Sequence, residues 1–283
     1  MSIKSGLLRD TMDKFYTKEF IADTCINHVE LFLDINNEDL VIEPSAGNGS
    51  FIPYIKRLTQ QRLIIDIDPD NCEIVKKDYL TLDTLPLTSR YKRIHVIGNP
   101  PFGRQSSLAI KFIKKSCEFS ESVSFILPKS FRKESMQKHF PPHFHLLHEM
   151  DMPTHSFSID GKSHNVPCVF QIWHRRNEPR EKIARPTPQG YRFVKKEQDP
   201  HISLRRVGSN TGTISKEIFT KNPQTHYFIQ FLNQLDTERN ISDLKQVSFT
   251  ENNTAGPKSI SKPEVMREFN KYVCQDMSSN SQT

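Results

Sequence analysis

Apolar residues recur at two different periods along the first two-thirds of this chain. Between residues 18 and 33, Phe20, Ile21, Ile26, Val29 and Phe32 fall mostly on helical spacing and predict an amphipathic helix. Four short apolar runs follow, Asp39 to Pro44, Arg62 to Ile67, Arg93 to Ile97 (ending at Gly98) and Val123 to Leu127 (ending at Pro128). Runs of that length predict strands buried on both faces. Ser50 to Leu58 and Leu108 to Cys117 predict helices, Pro53 being tolerated in a first turn, and Asn71 to Lys76 predicts a short one. Strands alternating with helices imply βαβ units, hence an α/β fold around a mostly parallel sheet.

Val166 to His174 and Gln189 to Val194 predict later strands, added antiparallel at a sheet edge. Beyond Arg175 the pattern weakens, and Pro179, Pro186 and Pro188 suggest irregular connections. His226 to Leu235 and Pro263 to Cys274 predict helices, and the polar stretch 278–283 a disordered tail. The expected organisation is a main domain over residues 10–175, a basic region over 176–277 and the tail.

Charge changes this picture in one place. The net charge is +6, and eleven basic residues lie between Arg175 and Lys216 against four acidic ones. Such a stripe, with Arg205 and Arg206 adjacent, suits contacts to phosphates, although a solvated surface has the same composition. The five cysteines are scattered, without disulfide or metal-ligand spacing, so no metal is expected. His139, His143, His145 and His148, interleaved with Pro141 and Pro142, predict a surface loop. No apolar run would span a bilayer and the first residues are charged, so no membrane association and an intracellular location, cytoplasmic or nuclear, are expected. The oligomeric state stays open.

The candidate chemistry sits where strands end. Glu43-Pro44-Ser45-Ala46-Gly47-Asn48-Gly49 joins a strand to a helix, and Gly47 and Gly49 allow a sharp turn close to a ligand. Asp66, beside Ile67, ends the second strand seventeen residues later, where an acid accepts hydrogen bonds from ribose hydroxyls. Asp78-Tyr79 follows as a further acidic site. The first turn lacks the third glycine of a dinucleotide fingerprint, so a nucleoside without pyrophosphate fits better.

Gly98-Asn99-Pro100-Pro101-Phe102-Gly103 ends the next strand. An aromatic exocyclic amine is a poor nucleophile because its lone pair is delocalised into the ring. The Asn99 side-chain oxygen and the Pro100 carbonyl can accept its two hydrogens and draw the nitrogen toward tetrahedral geometry. Two prolines stiffen the loop, and Phe102 offers a stacking surface for the base.

Across residues 14 to 175 this order resembles the class I S-adenosylmethionine-dependent amino-methyltransferases of the N6-adenine type. The resemblance implies a Rossmann-like, doubly wound, seven-stranded domain using S-adenosyl-L-methionine to methylate an adenine amine in DNA or RNA. It makes Phe15-Tyr16-Thr17 the N-terminal cofactor segment, Asp66 the ribose acid (glutamate is more usual), Ile67 the apolar contact to the cofactor adenine and Asp78 the reader of its amine. Phe157 matches a base-contacting aromatic in a later hairpin. Enzymes that methylate a glutamine amide share the Asn-Pro-Pro loop, usually followed by tyrosine, and they remain an alternative. A catalytically inactive nucleic-acid-binding subunit is another.

Overall fold

A computed structural model describes residues 15–273 except 160, 182, 183, 185, 234, 235 and 250–256. The predicted tail over 278–283, the charged N-terminus and Cys274 lie outside the described residues. The chain divides into two units at Glu181/Lys182.

The first unit contains β1 (Tyr16–Thr17), α1 (Glu19–Phe32), β2 (Leu40–Glu43), α2 (Ile52–Leu58), β3 (Arg62–Asp66), β4 (Val75–Lys76), α3 (Leu85–Arg90), β5 (Ile94–Gly98), α4 (Ser107–Phe119), β6 (Ser122–Pro128), α5 (Glu134–Gln137), β7 (Phe144–Asp151), β8 (Phe157–Ile159), β9 (Lys162–His164) and β10 (Cys168–Arg175). Seven of these strands form one sheet in the order β4-β3-β2-β5-β6-β10-β7. Every pairing from β4 to β6 is parallel; β10 runs antiparallel to both β6 and β7.

The burial pattern explains why the strands read as continuous apolar runs. Along β2, Val41 faces one core with α1 and α2, while Leu40 and Ile42 face a second core with α4. The sheet is therefore covered on both sides, which makes the unit a doubly wound α/β domain, as expected. In α1 the buried stripe is Ile21, Ala22, Cys25, Ile26 and Val29, whereas Phe20 and Phe32 are 56% and 38% exposed. Burial pushes the thiols of Cys25, Cys117 and Cys168 well above their ordinary range, consistent with inert core cysteines.

Four expectations need correction. Asn71 to Ile74 is a turn, with Asn71 Oδ1 accepting from Glu73 N–H, and it leads into β4 at Val75–Lys76 rather than forming a helix. The histidine-rich segment is not a loop throughout: His145 and His148 belong to β7, an edge strand. The strand within Val166 to His174 lies between β6 and β7, not at the edge. His226 to Leu235 contains a strand, not a helix. Its apolar residues satisfy both periods, and pairing with two neighbours decides between them.

The second unit has its own core. Strands β11 (Tyr191–Val194), β12 (Ile202–Arg205), β13 (Ile214–Ser215) and β14 (His226–Phe231) form an antiparallel sheet in the order β11-β14-β12-β13. Alternate residues Tyr191, Ile202, Leu204, Ile229 and Phe231 pack against α6 (Thr237–Leu244) and α7 (Lys262–Val273) through Ile241, Leu244, Val265 and Phe269. Gln189 to Val194 thus contributes to this separate sheet rather than to the first one.

Candidate active site

The sequence order of the first sheet reverses between β2 and β5, and loops leaving the carboxyl ends of those strands diverge there to leave a crevice. A cavity of about 360 Å³ occupies this position. The loop after β2 brings Glu43, Pro44, Ser45, Ala46 and Gly47; β3 ends at Asp66 with Ile67 beyond it; the segment after β4 brings Asp78 and Tyr79; the loop after β5 brings Asn99, Pro100, Pro101 and Phe102. Tyr16 and Thr17 line it from β1. Segments far apart in sequence thus meet in one cleft.

The first turn is built around Gly47, whose φ of 55° is disfavoured for other residues. A Cβ there would stand 3.0 Å from the Tyr16 ring. Asp66 fastens the same turn: one oxygen accepts from Gly47 N–H and the other from Asp68 N–H, both at 2.8 Å. Each carboxylate oxygen retains a lone pair for a ligand. Asp78 Oδ1 accepts from Leu80 N–H at 2.9 Å, leaving Oδ2 as the further acceptor. Tyr79 is a core residue, with its hydroxyl 2.8 Å from Ser116 Oγ, and burial raises its pKa.

Asn99 is held in one orientation. Its Nδ2 donates to the Phe15 carbonyl at 3.2 Å and to Thr17 Oγ1 at 3.1 Å. The Phe15 carbonyl can only accept, so the nitrogen must face it. Oδ1 is buried and has no hydrogen-bond partner. Ser45 Oγ donates to the Asn99 carbonyl at 3.0 Å, tying the first turn to this loop. A buried acceptor without a donor costs about 1–3 kcal/mol, which a ligand amine would relieve.

Glu43 is the second orphan. It is 1% exposed and Oε2 has no partner. Burial, and secondarily the Asp66 carboxylate, push its pKa up to about 8. A buried acid in a cavity of this kind would have its charged form stabilised by a cationic ligand.

Two sequence-based assignments are changed by the geometry, those of Gly49 and Phe157. Gly49 does not line this cavity; its N–H bonds to the Ala46 carbonyl at 2.8 Å and it shapes the turn. Phe157 is 1% exposed, packs edge-on against Phe15 with ring centroids 6.3 Å apart, and does not line the cavity. It pairs with Thr17 across β1 and β8, so it supports the N-terminal segment rather than touching a base. Arg205 and Arg206 belong to the second unit. Arg205 Nε donates to the Val207 carbonyl at 3.2 Å, and the Arg206 guanidinium sits 5.0 Å from the Tyr227 ring centroid.

Sequence reasoning missed the apolar wall. Leu80, Leu108, Phe112 and Val166 all line the cavity. Leu108 and Phe112 stand one helical turn apart at the start of α4, a spacing that is visible in the sequence as a signal. Among the described residues no cluster of three or more His, Cys, Asp or Glu could hold a metal ion, and no helix is long and apolar enough to cross a membrane.

No family model matches the chain. Among curated proteins, the ribosomal RNA small subunit methyltransferase A of Mycoplasma capricolum subsp. capricolum is 30% identical over 131 residues, covering 41% of this chain and 49% of the relative. The protein of the same name from Hydrogenobaculum sp. (strain Y04AAS1) is 31% identical over 125 residues, with the same coverage of 41% and 49%. The chain thus spans about half the length of the curated relatives it matches. Among solved structures, the 23S rRNA methyltransferase ErmE aligns over 60% of this chain and 72% of its own, at 16% identity and a TM-score of 0.43.

Proposed function

We propose that this chain transfers a methyl group from S-adenosyl-L-methionine to the exocyclic N6 amine of adenine in a nucleic acid, and that the nucleic acid is RNA. The observation that carries the reading is the oriented Asn99 amide: nitrogen committed to β1, oxygen buried without a donor, on a Pro-Pro loop beside the cavity. The name of the curated relatives, ribosomal RNA methyltransferase, supports RNA as the polymer.

The cleft suits both ligands. Asp66 and Asp78 offer acceptors for ribose hydroxyls and an adenine amine, and the orphaned Glu43 carboxylate suits the positive charge of the cofactor. Bound there, the cofactor would supply an electrophilic methyl on sulfonium sulfur, the S–C electron pair staying on sulfur as the amine nitrogen takes the methyl group. Asn99 Oδ1 and the Pro100 carbonyl would accept the two amine hydrogens and localise the nitrogen lone pair. One of those protons would then pass from the methylated nitrogen to solvent water. Phe102, half-buried at the cavity wall, offers its ring to the base. The base must enter unpaired, from a single strand or by flipping out of a duplex. The basic stretch of the second unit would contact phosphates.

The test incubates the protein with methyl-labelled cofactor and separate RNA, DNA and protein pools. Digested RNA should contain labelled N6-methyladenosine. Label confined to DNA would replace the polymer, and label on glutamine would replace the reaction.

A further inference from the structure

We propose that Thr17 is a positioning residue for Asn99: its hydroxyl, together with the Phe15 carbonyl, locks the asparagine amide with the oxygen turned to the substrate amine. This rests on the adenine-amine reading above. An asparagine amide presents nearly the same shape in two orientations related by a half-turn, and only one offers an acceptor to an amine. In the wrong orientation the NH2 group would meet the hydrogens of the substrate amine, so any population of it is inactive.

The two hydrogens on Nδ2 are both used. One goes to Phe15 O at 3.2 Å and one to Thr17 Oγ1 at 3.1 Å. Thr17 is 6% exposed, so water does not compete for that position. The two acceptors lie 84 and 82 residues before Asn99, on a segment fastened from its other side: Tyr16 pairs with Ser158 and Thr17 with Phe157, and Lys18 N–H donates to the Ser156 carbonyl at 3.0 Å. The Phe15 ring packs on the buried Phe157. The β8 strand thereby holds β1, and β1 holds the amide. Thr17 lines the cavity, which alone suggests a cofactor contact. Its hydrogen bond instead assigns it to the reacting amine by way of Asn99.

Thr17→Val keeps the shape and removes the acceptor; Thr17→Ser keeps the acceptor. Methyl transfer in a single turnover should fall roughly 10- to 100-fold in Thr17→Val, the scale of a misplaced catalytic group. Cofactor affinity should stay within about twofold, because Asp66, Asp78 and Glu43 are untouched. Thr17→Ser should restore the rate. The side-chain amide resonances of Asn99 in protein labelled with 15N-asparagine, which need no substrate, should shift or broaden in Thr17→Val and return in Thr17→Ser. An unchanged rate, unchanged Asn99 resonances, or a loss of rate that follows cofactor affinity and is not rescued by serine overturns the proposal. If the resonances respond as expected while the wild-type protein methylates no adenine, the positioning role stands and the adenine reading falls.

Discussion

The two units of this chain differ in where their unmatched polar atoms lie. In the first, the groups at the strand ends are left wanting: Asn99 Oδ1 and Glu43 Oε2 are buried without donors. In the second, the basic groups are largely engaged by rings, carboxylates and carbonyls of the same unit, and the one unmatched buried basic atom among its described residues, Arg206 Nε, is a donor and does not line the cavity. Arg205 donates to a backbone carbonyl, Arg206 lies over Tyr227, Lys216 pairs with Glu238 at 2.5 Å, and Lys262 sits 4.8 Å from the Phe193 ring centroid. Folding alone rarely leaves buried acceptors unmatched, so an unmatched pair beside a cavity points to a ligand. A surface cation with an internal partner is already accounted for by its own unit, and a run of basic residues is weaker grounds for a site than two orphaned oxygens.

The sharpest way to break this contrast is Asn99→Ala. Methyl transfer should fall roughly 100-fold or more, as when one pre-positioned polar group is removed from a transition state. Cofactor affinity should change little, since the glycine turn and Asp66 stay in place, while the melting temperature should fall modestly as Phe15 O and Thr17 Oγ1 lose their donor. Near-normal single-turnover rates in a folded, cofactor-binding variant would remove Asn99 from the mechanism.

Phe102→Ala should act on capture of the base instead. Stacking contributes about 1–3 kcal/mol per base, so the RNA KM should rise roughly 10- to 100-fold while the rate at saturation falls less. A fall in rate at saturation with KM unmoved would make Phe102 a part of the loop scaffold.

What is legible in the sequence follows the same physics as the contrast. Strands β2, β3, β5 and β6 are readable because both faces are buried and little else produces such short apolar runs. Glu43, Asp66 and Asn99 are readable because each ends a parallel strand or follows one directly, and such ends converge in this architecture, whereas Asp78 follows β4, a segment whose sequence predicts a helix. The amide lock is not readable: its partners, Phe15 and Thr17, are brought to Asn99 only by the pairing of β1 with β8. The hairpin around Phe157 suggests a contact to the base, but aromatic residues in hairpins bury as readily as they bind. The second unit is hardest. His226 to Phe231 carries Tyr227, Phe228, Ile229 and Phe231, a cluster that satisfies helix and strand alike until its neighbours are known.

Glu43 sharpens the contrast through pH. Its folded-state pKa, about 8, lies above its ordinary 4.5, so the folded protein holds the proton more tightly than the unfolded chain. The associated stability is fully present below about pH 4.5, declines as pH rises through the window up to about 8, and is level beyond it. Glu43→Gln should flatten that decline in a series of melting temperatures without ligand. The cationic cofactor favours the carboxylate, so its affinity for the wild-type protein should rise roughly tenfold between about pH 6 and 9, with proton release on binding at the lower pH. Glu43→Gln should remove most of that slope. An identical slope in the variant would assign the titration to another group.

The smallest expected effect belongs to the basic stretch. Arg205 and Arg206 are half-buried and engaged within their unit, so replacing both with glutamine keeps polar character while removing two charges. If both reach phosphates when RNA is bound, the slope of log affinity against log salt should flatten by about 0.7 for each phosphate of a single strand that is no longer neutralised. At low salt the affinity should fall only a few-fold, with cofactor affinity unchanged. Removing the Arg206 guanidinium from the Tyr227 ring should also lower the melting temperature of the second unit slightly, since a half-buried cation–π pair contributes about 0.5–1 kcal/mol. The two readouts separate the roles. A lower melting temperature with an unaltered salt slope would make these arginines internal fasteners of the second unit, whereas a flatter slope would show that a cation engaged in its own fold still serves a phosphate.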